Sequence, residues 1–148
     1  MTRPLRLALV SLLLAAAAPA VTRYVWKDNP NTPVPPYTGG WASAATNIQD
    51  AVDVAAVGDT VLVTNGVYDA GGRVAPGDAT LKTRLIITNA ITVISVNGPD
   101  STLIVGQPHA SATGLGDTAV RGVYLTNNAV LAGFTVSNGF TRGPGTAA

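Results

Sequence analysis

The stretch Thr46-Asn47-Ile48-Gln49-Asp50-Ala51-Val52-Asp53-Val54-Ala55-Ala56-Val57-Gly58-Asp59-Thr60-Val61-Leu62-Val63-Thr64-Asn65-Gly66-Val67-Tyr68 organises this chain, because it reads as an amphipathic helix, a stop and a buried strand. Thr46 followed three residues later by Gln49 has the pattern of a capping box and predicts a helix start there. On the 3.6-residue period Ile48, Ala51, Val52 and Ala55 share one stripe, while Gln49, Asp50 and Asp53 point away, so a single face covers the core. The expected helix runs from Asn47 to Ala56, about ten residues, a length that needs tertiary packing to persist. Gly58 ends it by taking up a left-handed conformation, and the β-branched run Thr60 to Thr64 suits a strand.

Working outward, the first residues carry Arg3 and Arg6, an apolar run from Leu7 to Ala18 and then Ala18-Pro19-Ala20, the layout of a secretory signal over residues 1–20 with a small-residue cleavage site. Export to the cell surface or medium is the expectation. The chain of 148 residues is 47% hydrophobic and only 11% charged, one domain's worth of globular sequence. Removing the leader takes two of the nine basic residues, changing the formal charge from +1 to about −1 and leaving no basic face for nucleic acid. Cysteine is absent and every acidic residue is aspartate, so stability outside the cell must come from packing and backbone hydrogen bonds.

Residues 21–45 are expected to form an N-terminal cap, with a short strand at Tyr24-Val25-Trp26 and a loop from Asn29 to Pro36. Four of the eight aromatic residues, Tyr24, Trp26, Tyr37 and Trp41, lie here. They read as large side chains sealing a core end, with a sugar-stacking platform as the other reading. After Tyr68 a glycine-rich, polar excursion runs from Asp69 to Thr80, and strand signals resume at Arg84 with Leu85 to Thr88, Ile91 to Val96 and Thr102 to Val105. A second loop, Gly106 to Thr118, precedes the final run from Val123 to Gly139.

Recurrence within this region carries the fold. Thr-Asn follows an apolar strand at Thr64-Asn65, Thr88-Asn89 and Thr126-Asn127, and Asn-Gly closes a segment at Asn65-Gly66, Asn97-Gly98 and Asn138-Gly139. A shared unit with irregular spacing is what a solenoid gives when loops of different length interrupt its coils, and asparagines at successive turns could stack into a ladder. An antiparallel sandwich competes, because Asn-Gly also signals two-residue hairpins. Against it, Pro99 and Phe140-Thr141-Arg142-Gly143 follow two of the copies where a return strand should start. The expected core includes Val61, Val63, Ile86, Ile91, Val93, Leu125, Leu131, Phe134 and Val136.

Tyr24-Val25, the polar loop, Trp41, the helix Ile48 to Ala55, Gly58-Asp59-Thr60-Val61 and Gly66-Val67-Tyr68 resemble the N-terminal cap and first coil of bacterial right-handed parallel β-helix proteins of the pectin-lyase-like superfamily. Ile91 to Ser95 and Ala132 to Gly139 resemble that group's repeating coils. The resemblance implies an all-β solenoid with a short capping helix, residues 46–142 holding the helix and first coils. It also implies secretion or surface display, in a group that includes polysaccharide lyases, glycoside hydrolases and adhesins. With few coils and an open tail over residues 143–148, the chain reads as the front part of something longer, whose last coil recruits further coils or a second copy.

Chemistry is sparse by comparison. A lyase of this kind needs clustered carboxylates for calcium and a base beside a carbonyl. Asp50 and Asp53 fall on the outward helix face, Asp59 is placed to order a turn, and Asp69, Asp78, Asp100 and Asp117 are scattered through loops, where two of them could hold calcium. His109, with Ser111 nearby, matches no nucleophile motif. Arg84, Arg121 and Arg142 near strand boundaries would suit a charged ligand on a shared edge. No catalytic, metal or cofactor residue is therefore assigned. The expected role is an exported surface or binding scaffold related to carbohydrate or adhesion, with polysaccharide or cell-surface components as partners. The alternative is the front of a polysaccharide lyase or glycoside hydrolase with active-site coils beyond residue 148.

Overall fold

The computed structural model describes residues 19–126 and 128–143. The leader read over residues 1–20 lies outside these except for Pro19 and Ala20, as do Asn127 and all of the tail after Gly143. In chain order the described elements are β1 (Thr22–Val25), a 3-10 turn (Trp41–Ser43), α1 (Ile48–Asp53), β2 (Thr60–Val63), β3 (Gly66–Tyr68), β4 (Arg73–Val74), β5 (Lys82–Ile87), β6 (Thr92–Ser95), β7 (Thr102–Val105), β8 (Val120–Leu125), β9 (Val130–Ala132) and β10 (Thr135–Ser137). Among the described residues the chain is mostly strand, with one short helix and one 3-10 turn. Strands lie in three sheets, ordered β1-β2-β6-β9, β3-β7-β10 and β4-β5-β8. Every strand pairing among them is parallel except β4 with β5. From β2 onward the chain visits the first, second and third sheets in turn, then repeats.

Alternation explains why these β-branched runs are strands. In the first sheet Val61 pairs with Val93, and Val25 with Val63, stacking like residue on like residue one strand spacing apart. All four are 0% exposed. Ile104 of β7 and Leu85 and Ile87 of β5 complete the core from the other sheets. An antiparallel arrangement is excluded for β2, which pairs in parallel with both β1 and β6.

The helix is shorter than its periodicity suggests. It spans Ile48–Asp53, and its N-cap is Asn47, whose side chain accepts from the Gln49 N–H. Ile48, Ala51, Val52 and Ala55 are buried as expected. Gln49 is the correction: it is buried, and its amide pairs with the edge of β5, Oε1 accepting from the Ile86 N–H at 2.8 Å and Nε2 donating to the Ile86 carbonyl at 3.0 Å. Two orphan backbone groups are thereby satisfied, a stronger pull than a capping box on an exposed turn. Gly58 has φ 90, as expected, and donates to the Ala90 carbonyl, but it does not end the helix, which stops at Asp53 with Val54 as its C-cap and leaves Gly58 in a separate turn before β2.

Asn65 and Asn97 form the expected ladder, Asn97 Nδ2 donating to Asn65 Oδ1 at 2.8 Å. The other recurrences are not equivalent to it. Asn65 and Asn97 both sit between a first-sheet and a second-sheet strand, whereas Asn138 follows β10. Thr88 and Thr126 share a different corner, after β5 and β8, where Thr126 donates to the Thr88 carbonyl. The excursion after Tyr68 contains β4 and buries Ala75, and the strands restarting at Lys82 and Val120 begin earlier than the apolar runs indicate.

Two of the expected core residues are not buried. Leu125 stacks on buried Ile87 and Val136 on buried Ile104, yet they are 45% and 47% exposed. Leu131 and Phe134 are only partly buried. These four belong to β8, β9, β10 and the turn between the last two, which end all three sheets on the same side. Alternation aims them at the core, but no described strand lies over them.

The Gln49 pairing is open to test by urea denaturation. Gln49→Leu should cost about 2–4 kcal/mol, since it orphans a buried N–H and C=O. Asn47→Ala should cost about 1 kcal/mol and Thr46→Ala less than about 0.5 kcal/mol. A Thr46→Ala loss as large as that of Gln49→Leu would restore the capping box.

Candidate functional site

Both long loops arise at one corner. Residues 69–81 connect β3 to β5 and residues 106–119 connect β7 to β8, each leaving a second-sheet strand and returning on the third sheet. Stacked strands place the loops side by side, and between them lies a cleft of about 400 Å³. Its lining includes Asp69, Lys82, Arg84, Gln107, Asp117 and Thr118.

The two cations come from the alternation of β5. Thr83, Leu85 and Ile87 point into the core, at 0%, 1% and 0% exposure, so Lys82 and Arg84 take the opposite face. Arg84 is nonetheless buried, because the loops close over it. Its Nε donates to the Val105 carbonyl at 2.7 Å and its Nη1 to the Gly71 carbonyl. Nη2 is buried without a partner. Burial pulls the guanidinium below its usual pKa, opposed by the attraction of Asp69. The result is a cation at the base of a polar cleft with a hydrogen-bond donor unspent, beside an exposed ammonium and a side-chain amide.

A second cluster fastens the loops. Asp78 accepts from the Thr80 and Leu81 N–H groups at 3.3 and 3.2 Å. It also pairs with Arg121 at 2.9 Å and Arg142 at 3.2 Å. Arg142 reaches Asp117 at 2.8 Å and also bonds the Thr80 hydroxyl. The backbone bond from Leu81 foremost, with Thr80 and both arginines adding to it, holds the Asp78 carboxyl below its usual pKa. Asp78 thus ties the first loop to β8 and to the segment after β10.

The remaining residues singled out by sequence are dispersed. Arg121 and Arg142 converge on Asp78, while Arg84 stands apart in the cleft. Asp69 and Asp117 line that cleft together. Asp53 is bonded by Gln49 and paired with Arg73, with Asp50 4.0 Å from the same guanidinium, so the outward helix face is ion-paired. Asp59 orders its turn as expected, accepting from Ala56 and Val21 N–H groups at 2.8 Å and pairing with buried Arg23 at 2.9 Å. Asp100 is exposed in a turn. His109 Nδ1 lies 2.6 Å from the Thr118 hydroxyl, and Ser111 donates to the Leu115 carbonyl, so the two are not a catalytic pair. Among the described residues no three His, Cys, Asp or Glu side chains come together as a metal site.

Lys82, Gln107 and Thr118 escaped the sequence reading. Lys82 alternates with Arg84, a signal visible once β5 is started at Lys82. Gln107 and Thr118 carry no such signal, since only loop packing brings them in. The chain matches no protein-family model, curated protein or solved structure.

Asp59 and Asp78 both have carboxyls held below the usual value of 3.8. For Asp59 desolvation works the other way, and the Val21 and Ala56 bonds with Arg23 outweigh it. A depressed folded pKa contributes stability above the unfolded value, which is lost as pH falls through the folded one. Melting temperature should therefore fall as pH drops below about 4, and Asp78→Asn should flatten that fall. Asp59→Asn leaves Arg23 buried without its counter-ion and should cost about 3–5 kcal/mol at neutral pH. An unchanged acid profile in Asp78→Asn would show that the loops are held otherwise.

Proposed function

We propose that this chain forms an exported right-handed parallel β-helix that serves as a binding or surface scaffold for polysaccharide. The fold reading is supported by the strand order, in which successive segments enter the three sheets in the same sequence with parallel register. It is also supported by a helix that covers the first edge of the third sheet. Export is supported by the leader pattern of residues 1–20.

The cleft between the loops carries the binding role. Its groups are hydrogen-bonding donors and acceptors on β5 and on the two fastened loops, the composition of a site that orients a polar ligand. Expressed with residues 1–20, the exported protein should begin at Val21 by mass spectrometry. In affinity electrophoresis it should be retarded by at least one polysaccharide from a panel of neutral and acidic glycans. Lys82→Ala combined with Gln107→Ala should lower that retardation about tenfold, roughly the loss of one good polar contact. Retention unchanged in the double variant would remove the cleft from the proposal. Product release abolished by Asp69→Asn or Asp117→Asn would instead favour a lyase or hydrolase acting at this cleft itself.

The end layer formed by β8, β9 and β10 is proposed to take a partner, which for the isolated chain is a second copy. The supporting observations are that no described strand pairs with their outer edges and that Leu125 and Val136 are exposed on their core-facing side. Sedimentation should give a concentration-dependent dimer that Leu125→Lys converts to monomer. A monomer at all concentrations in the parent protein would exclude this.

A further inference from the structure

The two tryptophans of the chain, Trp26 and Trp41, line a single open cleft of about 340 Å³ with Thr64 and Asn65. Both rings are half-buried and neither belongs to the apolar core, whereas Tyr37, from the same stretch, packs against it. Trp26 follows β1 on the outward-facing parity, since Arg23 and Val25 point inward. Trp41 opens the 3-10 turn and crosses Tyr24 at 4.8 Å and 75°, an edge-to-face contact that fixes its ring. Backbone bonds hold the surrounding chain: Trp26 donates to the Ala45 carbonyl at 2.8 Å, and Ala44 donates to the Trp41 carbonyl at 3.2 Å. Asn65 is oriented by the ladder bond from Asn97. The cleft is therefore built from rings and an amide that are set before any ligand arrives.

We propose that this tryptophan cleft is a second ligand site, taking a pyranose ring of a neutral polysaccharide. The lining holds no charged side chain, and the nearby Lys27 and Asp28 pair with one another at 3.2 Å, which argues against an ionic ligand. Flat indole surfaces offer the C–H face of a sugar ring a large contact area with little rotamer entropy to lose. The hydroxyl of Thr64 and the amide of Asn65 supply donors and acceptors for ring hydroxyls, which a hydrocarbon ligand would leave unpaired. The site lies on the first sheet and its cap, away from the loop cleft on the third, so failure of either reading leaves the other standing.

Because the chain has no tryptophan elsewhere, its emission reports on this cleft alone. Purified protein titrated with cellohexaose, xylohexaose and mannohexaose should show a saturable change in tryptophan emission with at least one of them. Trp41→Ala, read through Trp26, should weaken that response at least tenfold, with Trp41→Phe intermediate. Thr64→Tyr should abolish it while keeping both indoles, and serves as the decisive variant if Trp41→Ala fails to fold by circular dichroism. No saturable change with any neutral oligosaccharide overturns the proposal. So does a response given only by trigalacturonate or a proline decapeptide. A response that Lys82→Ala removes and Trp41→Ala spares belongs to the loop cleft and overturns it equally.

Discussion

The side-chain amide of Gln49 exchanging two hydrogen bonds with the backbone of Ile86 is the contact on which the first end of this molecule depends. A parallel sheet presents a row of donors and acceptors at each edge, and each must be paired, covered or exposed to water. Here β4 takes the early part of the β5 edge, and Gln49 takes Ile86 further along. The amide also donates to Asp53 at 2.7 Å, so helix, edge and ion pair to Arg73 form one connected unit. With Ile48, Ala51, Val52 and Ala55 behind it, a six-residue helix too short to persist alone becomes a fixed cover.

The same end contains the only ion pair among the described residues in which both partners are buried. Arg23 reaches Asp59 and the Val54 carbonyl, but its Nε and Nη1 find no partner. Such a pair is weak evidence for stability, because removing two charges from water offsets most of their attraction. Its geometry points to a locating role: Asp59 also receives the Val21 and Ala56 N–H groups, so one carboxylate joins β1, the turn after α1 and the start of β2.

The loop cleft follows from where the stacked strands tolerate irregularity. The connections between first and second sheets span two residues after β2 and six after β6, and Asn97 bonds Asn65 across them. From β2 onward the corner between second and third sheets carries the longest connections, residues 69–81 and 106–119, and its loops are fastened by Asp78, Arg121 and Arg142. Gly106 marks how closely the chain packs there, since an added Cβ would lie 2.5 Å from the carbonyl oxygens of Asn138 and Val120. A cleft between two fastened loops keeps its shape without a ligand.

By itself the amino-acid sequence determined the local elements. Period and β-branching located the buried stripe of α1 and the strands around Val61, Ile86, Val93 and Ile104, and glycine located the left-handed turn at Gly58, since each depends on residues only a few positions apart. It also contained the Asn65–Asn97 ladder, whose two members repeat with the same neighbour. Tertiary structure alone decided what those elements meet. Gln49 reads as a surface residue until the β5 edge lies beside it, and Leu125 and Val136 read as core until the absence of a described layer above them exposes them. The loop cleft assembles Arg84, Gln107 and Asp117, and the tryptophan cleft joins Trp26 to Asn65. Burial and convergence arise between segments remote in sequence, and no local pattern encodes those distances.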